Sequence, residues 1–162
     1  MPSLRPATDA DVAAIVALNE RNVVKLAPMD AARLDELREL ADRVDVLDVD
    51  GAFGGFVITF GPGTTYDSDN YRWFTDRHGD GFYYLDRIVL HEDFRRRGLG
   101  GFVYDGVEAI ARKHGRMALE VNLVPRNDAS LAFHRARGYV EVGRLGDEDH
   151  LVSLLEKTWD DA

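Results

Sequence analysis

The feature that most constrains this chain is a run of arginines and glycines, Arg95-Arg96-Arg97-Gly98-Leu99-Gly100-Gly101. An apolar segment, 82–90, precedes the run and predicts a buried strand, and an amphipathic helix pattern over 98–114 follows it. Glycines let backbone N–H groups approach an anion closely, and a helix N-terminus adds unpaired donors. Arginine supplies forked donors for phosphate oxygens. The run therefore predicts a pyrophosphate site, and the alternative is a solvated basic turn.

Two common phosphate-binding motifs fit this run poorly. A Walker loop requires a lysine followed by serine or threonine after its second glycine, and the run has neither. A dinucleotide fingerprint requires a third glycine where Val103 stands, and its turn follows the strand directly. Here the seven residues 91–97 intervene.

Two spaced motifs resemble the GNAT superfamily of N-acetyltransferases. Arg95-x-x-Gly98-x-Gly100 is similar to the acyl-CoA signature of that family, Gln/Arg-x-x-Gly-x-Gly/Ala. Downstream, the segment 127–139 resembles the second family motif, in which an asparagine opens a helix that ends in Gly-Phe/Tyr. The segment 66–74, together with 86–89, resembles a bacterial subgroup of predicted acetyltransferases.

The resemblance implies direct transfer of an acetyl group from acetyl-CoA to a primary amine of a small molecule or peptide. The implied acetyl-CoA contacts are Ile88, Val89 and Leu90 for the pantetheine arm, Arg95, Arg96, Arg97, Gly98, Leu99, Gly100 and Gly101 for the pyrophosphate, and Asn127, Ser130 and Phe133 near the second helix. We expect the strand that begins at Phe82 and the strand that ends at Asn122 to splay apart and admit pantetheine.

Three side chains are candidates for proton transfer. Glu120 is the first choice for the base because several family members place a catalytic glutamate on this strand, and Asp86 is the second. The alternatives are a solvent-facing Glu120, an Asp86 that only pairs with arginine, and a base that acts through water. His134 stands where the family often has a tyrosine acid, and an imidazole can donate a proton near neutral pH. A solvated His134 without a role is the alternative.

An aromatic cluster is a candidate for the acceptor site. Its members are Tyr66, Tyr71, Trp73, Phe74 and Tyr83. An aromatic wall beside an aspartate suits a cationic amine with an apolar body. The alternatives are a small core that folds the long segment over the sheet, or a loop over 71–84 that docks a partner.

The length of 162 residues predicts a single domain, and the resemblance implies an N-acetyltransferase domain over 1–162. The periodicities give the order βααβββαβαββ, a mixed α/β fold, and the resemblance implies a mostly antiparallel central sheet flanked by helices. The second helix is predicted over 30–43. We expect 61–81 to be an unusually long connection with a function.

Charge and composition exclude several function classes. A net charge of −9 argues against general nucleic-acid binding, and the lack of cysteine excludes thiolate metal sites and cysteine nucleophiles. The histidines have no metal-ligand spacing, and no apolar run is long enough for a membrane span. We expect a cytoplasmic protein without a metal, for which a homodimer is compatible with the exposed aromatic segment. The rival functions are a non-catalytic acyl-CoA-binding or regulatory module and an enzyme that binds NAD or ATP.

Overall fold

The computed structural model describes residues 1–24 and 26–160. In chain order, its strands and α-helices are β1 (Pro2–Pro6), α1 (Val12–Glu20), α2 (Ala31–Leu40), β2 (Arg43–Val49), β3 (Ala52–Phe60), α3 (Asp69–His78), β4 (Tyr83–Leu90), α4 (Leu99–Ala111), β5 (Arg116–Val124), α5 (Asp128–Ala136), β6 (Val140–Gly146) and β7 (Leu151–Thr158). Short 3-10 turns occupy Asp9–Asp11, Glu92–Phe94 and Arg112–His114. The expected mixed α/β fold is confirmed.

The seven strands form one sheet in the order β1-β2-β3-β4-β5-β7-β6. The β4–β5 pair is parallel, and the other neighbouring pairs are antiparallel. The sheet is therefore mostly antiparallel, as expected. None of the helices within the described ranges is long and apolar enough to cross a membrane.

Two hydrophobic cores cover the two faces of the sheet. Helices α1, α2 and α3 pack on one face, which we call the first face, through residues such as Ile15, Leu37, Phe74 and Tyr84. Helix α4, with side chains of α5, packs on the opposite face, which we call the second face, around residues such as Tyr83, Val103 and Leu119. A sheet buried on both faces reads as continuous apolar strands, and this explains the pattern of 82–90.

The structure corrects two predicted elements. Helix α2 ends at Leu40, and Arg43 already belongs to β2, so the predicted helix over 30–43 extends three residues too far at its C-terminal end. The segment 61–81 contains the helix α3 and is not one long connection. Ser68 caps this helix by accepting from the Tyr71 N–H at 3.2 Å, and Gly79 with φ 60° ends it.

Candidate functional site

The site is a cleft between β4 and β5. These strands pair only at Tyr83↔Met117 and Tyr84↔Ala118, and beyond these positions they separate. The expected splay is therefore confirmed. The cleft that opens there has a volume of about 830 Å³ and is lined from both faces of the sheet. A cavity of this size falls in the range of small-molecule sites.

The arginine–glycine run lies between the end of β4 and the start of α4. Gly98 adopts φ 73°, a left-handed conformation that favours glycine, and α4 begins at the next residue. The first N–H bonded along the helix is that of Phe102, which donates to the Gly98 carbonyl at 3.2 Å. The N–H groups of residues 99–101 precede it, so they are the unpaired donors of this helix end.

Gly100 has no side chain, and this leaves space at the start of the helix. A Cβ atom at Gly100 would lie 3.9 Å from Leu90 Cδ1 and 3.9 Å from the Phe133 ring. The glycine therefore keeps an approach open between those side chains. The local chemistry fits a pyrophosphate because backbone donors and cationic side chains lie at the same helix end.

The arginines of the run occupy different environments, and all three are exposed. Arg95 braces the loop, because its Nε donates to the Leu90 carbonyl at 3.2 Å and its Nη2 to Asn22 Oδ1 at 3.1 Å. The Arg97 guanidinium lies 5.2 Å from the centre of the Phe94 ring. Arg96 has φ 64°. Leu99 is buried in the second core, so only its backbone is at the loop.

The edge of β4 and the start of α5 bring four of the other predicted cofactor residues to the cleft, whereas Leu90 and Phe133 pack against the second core. Ile88 and Val89 line the cleft, while Leu90 lies beside Gly100. Asn127 Oδ1 accepts from the Ser130 N–H at 3.3 Å and so caps α5. Asn127 and Ser130 line the cleft as well.

Glu120 lies inside the cleft on the first face of the sheet. The Tyr84 hydroxyl donates to Glu120 Oε2 at 2.6 Å, and the Asn70 side chain also hydrogen-bonds to this carboxyl group. Burial, followed by the charge of Asp86, raises the pKa of Glu120 to about 8. The hydrogen bonds from Tyr84 and Asn70 oppose this rise because they stabilise the ionised form.

Asp86 lies at a bulge of β4. Thr59 pairs with Leu85 and Ile58 pairs with Arg87, so Asp86 is the extra residue. Its Oδ1 accepts from the Tyr66 hydroxyl at 2.5 Å and its Oδ2 from Arg87 Nε at 2.7 Å. The Asp86 side chain is 5% exposed. Because each carboxylate oxygen already accepts from a protein donor, Asp86 is less free than Glu120 to take a proton from a substrate.

His134 lies in the cleft and is held as a neutral imidazole. Its Nδ1 lies 2.7 Å from the Ser130 carbonyl, which can only accept, so Nδ1 carries the ring proton. Its Nε2 then accepts from the Tyr104 hydroxyl at 2.5 Å. Burial lowers the pKa of His134, so the unprotonated form is favoured. This arrangement does not favour the expectation that His134 itself acts as the acid.

Most of the aromatic cluster does not line the cleft, so the expectation that these residues form the acceptor site is corrected. Tyr71 and Phe74 are buried in the first core, and Tyr83 is buried in the second. Trp73 packs against Phe74, with ring centres 5.1 Å apart. Of the five predicted residues, Tyr66 alone is among the described residues that line the cleft.

Tyr84, Asn70 and Tyr104 are not among the residues predicted from the sequence for this site. Tyr83 and Tyr84 are neighbours in a strand that is buried on both faces. Such a strand has no alternation of apolar and polar residues, so the sequence does not indicate which tyrosine faces Glu120. Asn70 was missed because α3 was not recognised. Tyr104 follows Gly100 by four residues, one helical turn, and that spacing is a signal that it lies on the same face of α4.

Comparison with known proteins agrees with this geometry. A model of the acetyltransferase (GNAT) family matches residues 19–139. Solved structures with the same fold include a ribosomal-protein-alanine N-acetyltransferase from Brucella melitensis (19% identity, TM-score 0.73, 97% of this chain and 99% of that one). Another is yncA, a putative acetyltransferase from Salmonella typhimurium with acetyl-CoA (18%, 0.70, 100% and 96%). A third is Arabidopsis thaliana NAA60 with a bisubstrate analogue (15%, 0.75, 100% and 100%).

Proposed function

Because the chain belongs to the GNAT acetyltransferase family, and is accordingly an N-acetyltransferase, we propose that it uses acetyl-CoA to acetylate a primary amine of a small molecule or peptide. The single observation that carries the proposal is the cleft between β4 and β5, which contains the carboxyl group of Glu120 and is bordered by the β4 edge that leads to the start of α4. When bound, acetyl-CoA supplies an acetyl group activated as a thioester.

The donor half of the cleft, as we propose it, is formed by the start of α4, the edge of β4 and the start of α5. Backbone N–H groups of residues 99–101, with the exposed side chains of Arg96 and Arg97, bind the pyrophosphate. The edge of β4 at 88–90 faces the cleft where β5 does not pair, so its backbone groups bind the pantetheine arm. Asn127 and Ser130 close this half.

The acceptor half is formed on the first face of the sheet, around Glu120 and Tyr66. Glu120 is the general base, because a pKa of about 8 leaves part of it ionised near neutral pH and makes that ionised form a stronger base than an ordinary carboxylate. Tyr84 and Asn70 orient its carboxyl group. Asp86 is the weaker candidate, since both of its oxygens accept from protein donors. Backbone N–H groups at the β4 bulge stabilise the negative charge that develops on the thioester carbonyl.

Thermal unfolding with single ligands tests the proposal. Acetyl-CoA, CoA, NAD and ATP are each added at the same concentration. A ligand at 100 times its dissociation constant stabilises the native state by about 2.7 kcal/mol. We expect a higher melting temperature with acetyl-CoA and CoA only. A rise with NAD or ATP alone, or with none of the four, would overturn the proposal.

An amine panel scored by thiol release then tests the transfer itself. We expect release of CoA with at least one cationic primary amine and none with the buffer alone. Binding of acetyl-CoA without release for any amine would favour the non-catalytic acyl-CoA-binding module instead.

A further inference from the structure

Arg87 is a buried hub that joins three parts of the chain. It lies on β4, it is 6% exposed, and it lines the cleft. Its Nε donates to Asp86 Oδ2 at 2.7 Å. Its Nη1 donates to Asn19 Oδ1 at 3.2 Å and to the Ala27 carbonyl at 3.1 Å. One guanidinium group thus connects β4 with helix α1 and with the α1–α2 loop (residues 21–24 and 26–30).

The partners of Arg87 extend this hub to one wall of the acceptor half. Asn19 is fully buried, and its Nδ2 also donates to the Ala27 carbonyl, at 3.1 Å. Asp86 accepts from the Tyr66 hydroxyl at 2.5 Å. Tyr66 is stacked on Phe60 with ring centres 4.1 Å apart, and it comes from the segment between β3 and α3. We call residues 26–28 together with Tyr66 the acceptor wall.

None of the residues of the acceptor wall belongs to a β-strand. Residues 26–28 lie in a loop, and Tyr66 precedes α3, so neither part is fixed by the sheet ladder. Both parts line the cleft. The hub supplies hydrogen bonds between the two parts through a residue of the sheet.

A gain in the stability of the native state does not by itself explain why the guanidinium group of Arg87 is buried here. An ion pair between side chains that are each 5% exposed has a desolvation cost that often cancels its attraction. A guanidinium group offers several donors in a fixed plane, which lysine or an apolar side chain lacks. The geometry therefore suits accurate placement of the wall segments more than it suits stabilisation of the core.

We propose that Arg87 is a positioning residue that fixes the acceptor wall against β4 and so determines how the amine acceptor is held. The inference rests on the proposed function for the identity of the substrate. The arrangement of the wall does not depend on it. The donor half meets the α1–α2 loop through the hydrogen bond from Arg95 to Asn22, which lies outside residues 26–28. We therefore expect loss of the hub to change acetyl-CoA binding much less than acceptor binding.

Two variants and one matched control test the proposal. Arg87→Lys keeps the charge beside Asp86 but cannot reach Asn19 and the Ala27 carbonyl with one planar group. Tyr66→Phe removes only the hydroxyl group and keeps the stacked ring. Tyr139→Phe is the control, because Tyr139 is also buried and donates to a carboxylate, Glu108 Oε2 at 2.8 Å, in the second core and away from the acceptor wall.

The first measurement is amide hydrogen exchange of the free protein, which requires no acceptor. In Arg87→Lys we expect exchange at least tenfold faster in the α1–α2 loop and in 61–68, with unchanged exchange in β2 and β7. In Tyr66→Phe we expect faster exchange in 61–68 only. The control keeps the wild-type rates in both segments. Unchanged rates in Arg87→Lys, or equal acceleration throughout the sheet, would overturn the proposal.

The second measurement separates the two halves of the cleft. The dissociation constant of acetyl-CoA is determined by titration calorimetry, and the acceptor KM is measured with the amine that is fastest in the panel. In Arg87→Lys we expect a rise of at least tenfold in the acceptor KM and a change of less than twofold for acetyl-CoA. A larger effect on acetyl-CoA than on the amine would contradict a positioning role. If no amine reacts with the wild type, the proposed function fails, while the exchange data still decide the role of Arg87.

Discussion

Glu120 is a carboxyl group whose surroundings favour the protonated form. Its pKa rises from the ordinary value of 4.5 to about 8, because it is buried and close to Asp86. The native state therefore binds one more proton than the unfolded state between these two pH values. The stability that Glu120 contributes is complete below about pH 4.5 and is lost as the pH rises through about 8.

The variant Glu120→Gln separates the role of this residue in proton transfer from its effect on the stability of the native state. Glutamine has the same shape and can still accept from Tyr84, but it cannot take a proton. We expect thiol release with the best amine to fall by about 10²- to 10⁴-fold. We expect a higher melting temperature than the wild type at pH 8.5, since no buried charge forms. A variant that retains full activity would eliminate Glu120 as the base.

Tyr84→Phe tests the partner that orients this base. The Tyr84 hydroxyl donates to Glu120 and lowers its pKa, so removal of the hydroxyl raises that pKa. In the proposed mechanism the ionised carboxylate is the active form, so we expect the acid limb of the kcat/KM profile to move to higher pH by about one unit. Tyr83→Phe is the matched control, because Tyr83 donates to Asp42 at 2.5 Å on the opposite face. If kcat/KM depends on pH in the same way in Tyr84→Phe and Tyr83→Phe, Tyr84 does not set the pKa of the catalytic base.

The contrast between Tyr83 and Tyr84 marks a limit of sequence reasoning at the residue scale. Glu120 and Asp86 were found because their types and places match a known chemistry. The choice between adjacent tyrosines depends on which face of the sheet each one meets, and a strand that is apolar on both faces carries no such signal.

At the scale of elements, the start of α4 combines a left-handed glycine with an open approach at Gly100. Gly100→Leu fills that approach with side-chain atoms near Leu90 and Phe133. Leucine also has a higher helix propensity than glycine, which offsets part of any packing strain. We expect acetyl-CoA affinity to fall at least tenfold (about 1.4 kcal/mol), with a melting temperature close to that of the wild type.

The matched control for this helix is Ala109→Leu, because Ala109 lies on the exposed side of α4. It should bind acetyl-CoA as the wild type does in the same calorimetric titration. Equal affinity of the wild type and Gly100→Leu would show that the run from Arg95 to Gly101 is not the pyrophosphate site.

Helix α3 was missed although its signals are present in the sequence. Ser68 precedes it, Gly79 follows it, and Tyr71, Phe74 and His78 have helical spacing. The dense aromatic residues concealed this period, because we interpreted them as an acceptor pocket. Most of them fill the first core instead, and their main contribution to the site is to place Asn70 beside Glu120.

At the scale of the whole molecule, the cleft exists because two neighbouring strands share only two paired positions. The edge of β4 beyond Tyr84 therefore has backbone groups that β5 does not satisfy. We expect saturating acetyl-CoA to slow amide exchange at least tenfold in 88–90, while the outer strands β1 and β6 serve as internal references with unchanged rates. Slower exchange everywhere would indicate general stabilisation rather than contact with this edge.

The order of elements was largely predictable, since each helix or strand follows from a local period and its flanking turns. Contacts between distant segments were not. Arg87 meets Asn19 and Ala27, which lie 68 and 60 residues earlier in the chain, and nothing in their local sequence pairs them. The residues that we assign to the donor half follow from the family resemblance, whereas the acceptor wall became visible only in three dimensions.

The location of the acceptor wall has a consequence for how such an enzyme can change. Its parts lie in a loop and in a short segment before a helix, whereas the proposed donor half consists of a sheet edge and a helix start that meet this loop through the Arg95–Asn22 hydrogen bond. Libraries randomised at 26–28 and 66–68 would therefore sample new amine preferences while the scaffold and its use of one acetyl donor stay intact. Residues that set the choice of amine can therefore be substituted while those that form the sheet and the start of α4 are retained.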